Sequence, residues 1–128
     1  RLGYVTDLFG AMRHLPNAMS ADRQLRSRAM RQAGNFPIQS TGNTMHLLAM
    51  YWLMESLLHN KFTAMACVIG VEHDKIYVDC VGSCLGKVVE LVTSAMLRHN
   101  HMSYWKDKPV KLKVDVKYGE NLYDMKEW

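Results

Sequence analysis

Two groups of residues in this 128-residue chain have the types and spacing to do chemistry. The first is His73-Asp74, set between the apolar run Ala66 to Val71 and a second one, Ile76 to Val78. Two apolar runs this close read as strands meeting in a tight turn. A carboxylate at the tip of a rigid hairpin is what magnesium-dependent phosphoryl transfer needs. A solvated turn would carry the same two residues. One Asp cannot complete a two-metal site. Glu72 and Asp79 are the nearest further carboxylates, and strand alternation puts Asp79 on the face away from Asp74. The second group is Arg31, Asn35 and Gln39, whose four-residue steps follow one helical row. Every correct base pair presents purine N3 and pyrimidine O2 acceptors in the minor groove, so a row of donors can check pair geometry without reading sequence. An exposed polar helix entrance has the same spacing.

The elements that must position these groups follow from periodicity. Gly3 to Phe9 and Met12 to Leu15, separated by Gly10 and closed by Pro16-Asn17, predict a β-hairpin. Ser20 or Asp22 caps a helix to about Ala33. Gly34-Asn35-Phe36-Pro37 interrupts it, and Pro37 opens a second helix to about His59. That helix buries Ile38, Met45, Leu48, Ala49, Trp52, Leu53 and Leu57. Lys61–Val71 and Lys75–Cys80 form the central hairpin. Ser83 caps a third helix through Leu97, with Val88, Leu91, Val92, Ala95 and Met96 inward. A polar link runs from Arg98 to Pro109. Val110 to Lys117 alternates without a break, which predicts a half-exposed strand with lysines outward. Strands and helices do not alternate regularly, so the fold class is α+β, with an antiparallel hairpin packed on long helices in one domain over 1–128.

Composition bounds the function. Apolar residues are 48% of the chain, enough for a core, and no apolar run is long enough to span a membrane. The formal charge is only +4, but arginines crowd the first quarter and lysines the end, which suits a polyanionic partner. Cys67, Cys80 and Cys84 show no disulfide or zinc framework and read as reduced, cytosolic thiols. The chain starts at Arg1 rather than Met, so it is expected to be processed or excerpted from something longer.

Four segments, in order, resemble family A DNA polymerases, the DNA polymerase I type, at their C-terminal end. Gly3-Tyr4-Val5-Thr6-Asp7-Leu8-Phe9-Gly10 with Arg13-His14-Leu15-Pro16 resembles the hairpin GYVxTxxGRRRYLP. Arg31 to Gly42 is similar to RAAxNxPxQGTAAD, and Gly70 to Val78 to the palm hairpin QVHDELVF. Lys117 to Leu122 resembles the closing GxNW. The resemblance implies a partial polymerase palm with the end of the fingers, acting on primer-template DNA and deoxynucleoside triphosphates. Asp74 would be one of two aspartates holding Mg²⁺, and His73 would contact the primer terminus. Arg13, Arg31, Asn35 and Gln39 would contact DNA.

The chain departs from the pattern at Lys75, where the family carries Glu, and at Glu72, where it carries Val. Ala11 and Met12 replace two hairpin arginines, and Asn43 or Thr44 replaces the terminal Asp. Divergence of this kind resembles bacteriophage members, which implies a host bacterial cytoplasm. The family's DxSxxELR segment with the other aspartate, the fingers helix and the thumb are not in this sequence. The implied activity is that of a nucleotidyltransferase part, inactive without an upstream polymerase segment. The alternative is a non-catalytic nucleic-acid-binding or assembly module derived from a palm, which Lys75 favours.

Overall fold

The computed structural model describes residues 3–128; Arg1 and Leu2, where the expected domain begins, lie outside the described residues. The chain groups into two compact units, Arg1–Met45 and His46–Trp128. Long helices and three separate two-stranded antiparallel sheets make the fold α+β.

In the first unit β1 (Tyr4–Thr6) pairs with β2 (Met12–His14), Val5 opposite Arg13. The connecting loop turns at Gly10, whose φ of 87° suits a residue without Cβ. Asp7 holds this loop from inside. Its Oδ1 accepts the backbone N–H groups of Phe9 (2.9 Å) and Ala11 (2.8 Å), and its Oδ2 accepts the Ser40 hydroxyl at 2.6 Å. Leu8 N–H adds a bond to Thr41 Oγ1. The hairpin loop is thereby tied to the helix that carries Ser40 and Thr41.

That helix, α1 (Arg23–His59), corrects the expectation of two helices divided at Pro37. Asp22 caps it, accepting the Gln24 N–H at 2.7 Å. Pro37 deletes one intrahelical bond and its ring crowds the Ala33 carbonyl. The flanking turns nevertheless stay helical, because the cap at one end and apolar packing at the other fix the backbone on both sides. Ile38, expected inward, is 76% exposed: it lies two turns before Met45 on the same side of the helix, but the core cluster on α1 begins at Trp52 and does not reach it. Met45, Ala49, Trp52, Leu53 and Leu57 are buried, as the periodicity required. The helix stops where Lys61 takes φ 58°, with Lys61 N–H bonded to Leu58 O and Phe62 N–H to Leu57 O. This is a Schellman ending with lysine at the position glycine usually fills.

In the second unit β3 (Ala66–Glu72) pairs with β4 (Lys75–Cys80). The strand begins at Ala66, not Lys61, because Lys61 to Met65 are used in ending α1 and turning the chain. Behind the hairpin lies α2 (Leu85–Leu97). Ser83 does not cap it: a short 3-10 turn, Gly82–Cys84, leads in, and the N-cap is Cys84 without a side-chain bond. Trp52, Leu53, Leu57, Ala66, Cys84, Val88 and Ala95 form the core, with Val68, Ile76, Val78 and Cys80 against it. Val89, not expected inside, is also buried. After α2, His99 is buried, shares a 2.6 Å hydrogen bond between its Nδ1 and Tyr104 Oη, and stacks near Trp52; Arg98 covers the Trp52 ring at 4.6 Å.

From Lys111 to Val116 exposure alternates with the lysines outward, but the stretch is not a strand. Only Lys117–Tyr118, β5, pairs, with β6 (Lys126–Glu127). Alternation sets which side chains face out; a ladder also needs a neighbouring strand, and among the described residues the chain end reaches only Val116, whose C=O accepts the Trp128 N–H at 3.0 Å. Its backbone is pinned by side chains instead: Asn100 bonds both the N–H and the C=O of Leu112.

Candidate metal and nucleic-acid sites

The turn His73-Asp74 is a two-residue connection, with Glu72 directly opposite Lys75. The register advances from Val68–Val78 to Gly70–Tyr77, so Ile69 is an extra, bulged residue. Below the turn, Ile76, Val78 and Cys80 face the core, which leaves Lys75, Tyr77 and Asp79 on the outer face. His73 takes φ 52°, in the left-handed region. Such backbone is uncommon outside glycine, though His tolerates it better than most, and it persists only where the surroundings enforce it. Here the paired strands enforce it.

Asp74 is exposed, and no hydrogen-bond or ion-pair partner meets its carboxylate among the described residues. Glu72 is engaged: its Oε2 accepts the Tyr77 hydroxyl at 2.9 Å. That bond holds the Tyr77 phenol above its ordinary value near 10, so it remains a donor. Among the described residues, no three His, Cys, Asp or Glu side chains converge to hold a metal ion. The donor set present is therefore one free carboxylate, with neither Glu72 nor Asp79 completing it.

The second group comes out more ordered than the sequence suggested. Because α1 is continuous through Pro37, Arg31, Asn35 and Gln39 keep a regular helical row. They line one groove, and Arg13 from β2 lines it with them. The Arg13 guanidinium lies 5.9 Å from the centre of the Phe36 ring, a cation–π contact that aims it. Arg31 donates from Nη1 to Ser27 Oγ at 2.9 Å. Arg28, Gln32 and Phe36 complete the lining and were not singled out from the sequence. The helical positions 28, 32, 35 and 39 share one face, so a longer periodicity window would have found two of them.

Asp7 was also missed. Its signal was available: Asp before Leu-Phe-Gly begins a turn that an Asp side chain closes by bonding the backbone ahead of it. The Ser40 hydroxyl first, then the Ala11 and Phe9 amides, hold its carboxyl below the ordinary value near 3.8. A carboxyl lowered on folding stabilises the fold fully above its unfolded value, and that stabilisation is lost as pH falls through the folded value. Acid titration of stability should therefore show Asp7→Ala losing part of the wild-type decline below about pH 5. Identical slopes in wild type and variant would contradict the role given to Asp7.

The model of DNA polymerase family A matches residues 1–124, and the chain belongs to that family. It is similar to the DNA polymerase of Bacillus phage SP01, 39% identical over 80 residues that make up 59% of this chain and 8% of that protein. It is 31% identical to DNA polymerase I of Bacillus caldotenax over 124 residues, 97% of this chain and 13% of that protein. Among solved structures it resembles the POL domain of Pol1 from M. smegmatis in complex with DNA primer-template and dNTP. That match has a TM-score of 0.71 and 26% identity, over 75% of this chain and 17% of the other. The chain thus spans about an eighth of the length of the polymerase I relative.

Proposed function

We propose that residues 1–128 form the C-terminal palm, with adjoining fingers, of a template-directed DNA polymerase. In the assembled enzyme the primer 3′-hydroxyl attacks the α-phosphate of a deoxynucleotide. The O3′–P bond forms as the hydroxyl gives up its proton to water, the bond from that phosphorus to the oxygen bridging to the β-phosphate breaks, and pyrophosphate leaves. Asp74 is the carboxylate this chain offers to Mg²⁺, which when bound stabilises charge on the attacking and leaving oxygens. A second aspartate comes from an upstream polymerase segment. His73, held beside it by the turn, contacts the primer terminus. Asn35 and Gln39 donate to minor-groove acceptors of the newest base pairs, while Arg13 and Arg31 meet the backbone.

The observation that carries this reading is the family match together with an unpartnered Asp74 at an enforced left-handed turn. A further feature supports work within a larger assembly. Leu47, Tyr51, Met54 and Leu58 recur at steps of four, three and four along α1, and all are 45–67% exposed. A stripe with that spacing is what another helix covers. No helix among the described residues is long and apolar enough to cross a membrane.

The test is reconstitution. The chain is combined with a family A segment carrying the second aspartate, the fingers helix and the thumb, and primer extension is followed with all four deoxynucleotides. Extension by the mixture and by neither part alone is expected. Tight primer-template binding with no extension would instead favour the non-catalytic module, which Lys75 beside Asp74 makes the specific competitor.

A further inference from the structure

The groove on α1 holds a third arginine, Arg28, beside Arg13 and Arg31. The hairpin contributes one cation to this groove, Arg13. Arg28, one turn before Arg31, lines the same groove as Arg13, Arg31, Asn35 and Gln39. On a 3.6-residue helix, positions 28, 32, 35 and 39 fall within about 60° of one another. They extend over about 16 Å of axis, against a rise of about 3.4 Å per base pair. The face therefore matches a stretch of four to five base pairs.

Charge singles out Arg28 further. Residues 1–45 contain six arginines and only two acids, Asp7 and Asp22. Both acids are committed: Asp7 to Ser40 and its own loop, Asp22 to the helix cap. Arg26 is also spent, donating to the Ser20 carbonyl at 2.8 Å. Arg28 is exposed, and no carboxylate is paired with it among the described residues. A free guanidinium at the rim of a groove whose floor offers carboxamide donors suits a phosphate, which Arg grips in bidentate fashion.

We propose that Arg28 is a backbone-phosphate contact of the primer-template duplex, made from the helix beside the hairpin's Arg13. This rests on reading the groove as the DNA contact, and the experiment separates the two. Binding of the assembled polymerase to a primer-template is measured against salt for wild type and for Arg28→Ala, Arg28→Lys and Arg31→Ala. One lost phosphate contact reduces the slope of log K against log salt by about 0.9 and weakens binding equally on unrelated sequences. Arg28→Ala should show that reduction, with affinity down about three- to tenfold at low salt, and Arg28→Lys should keep the slope. If Arg31→Ala reduces the slope and Arg28→Ala does not, the assignment of Arg28 is wrong and the groove reading survives. If neither moves it, both fall. Arg28 is exposed, so a melting curve matching wild type is expected in each variant, and an intact Arg28→Lys fold keeps the comparison valid.

Discussion

Replacing Asp74 by Ala in the assembled polymerase should cut primer extension by at least about 10³-fold, the factor that about 4 kcal/mol of lost transition-state stabilisation represents. Primer-template affinity should stay within about twofold, because an exposed acid at a turn adds nothing to phosphate binding. Asp74→Asn should fall nearly as far, since it keeps the shape and removes the charge that a hard cation requires. Neither variant should melt earlier than wild type: the carboxylate has no protein partner to lose. Extension above about a tenth of the wild-type rate would show that Asp74 is not a metal ligand. The turn explains why the position is unforgiving. His73 at φ 52° and the Glu72–Lys75 register leave the carboxylate little freedom to be replaced by a neighbour, and Glu72 is already bound to Tyr77.

Lys75 qualifies that picture without removing it. It stands opposite Glu72 in the ladder, yet among the described residues the one ion pair is Lys87–Glu90. Its ammonium is thus free to lie near Asp74, where it would compete with a divalent cation. The charge beside the carboxylate, more than the carboxylate itself, distinguishes a weakened catalytic site from a retired one.

What was legible in the sequence depended on whether local pattern and tertiary context agreed. The hairpin β3–β4 and its turn were legible because two apolar runs flank a short polar gap, and nothing distant competes with that. The inward face of α1 from Met45 to Leu57 was legible for the same reason. Pro37 misled because its local preference is strong, while the constraints that override it, the Asp22 cap and packing beyond Met45, act from more than seven residues away. Ile38 is in phase with Met45, but no spacing rule says how far along the helix the core extends. The segment Val110–Val116 misled in the opposite sense: its alternation is real, but a ladder needs a second strand, which sequence periodicity cannot supply. The site split along the same line. Asp74 and the row Arg31, Asn35, Gln39 could be named from spacing, whereas Arg13 stood out only as one of a crowd of arginines until the resemblance placed it. Its meeting with Phe36 joins a strand to a helix, and no spacing rule reaches across that gap.

The largest effect on stability should come from Leu53→Ala. Leu53 is fully buried, between Trp52 and Leu57 of α1 and the apolar sides of β3, β4 and α2. Removing three carbons there loses their transfer from water and leaves a cavity that Ala66, Val88 and Ala95, already small, cannot fill. The expected cost is about 3–4 kcal/mol, a large part of the stability of a single domain. Leu58 offers the control. It is 67% exposed, and Leu58→Ala should stay within about 0.5 kcal/mol in this chain by itself. Urea unfolding followed by tryptophan fluorescence measures both; a Leu53→Ala cost below about 1 kcal/mol would mean the core is not organised around this residue. The consequence for function is indirect and separable. The same core carries Ile76, Val78 and Cys80, which seat the hairpin. Leu53→Ala should therefore lose extension only as the second unit melts and recover it on cooling, whereas Asp74→Ala should be inactive at every temperature at which the fold is intact.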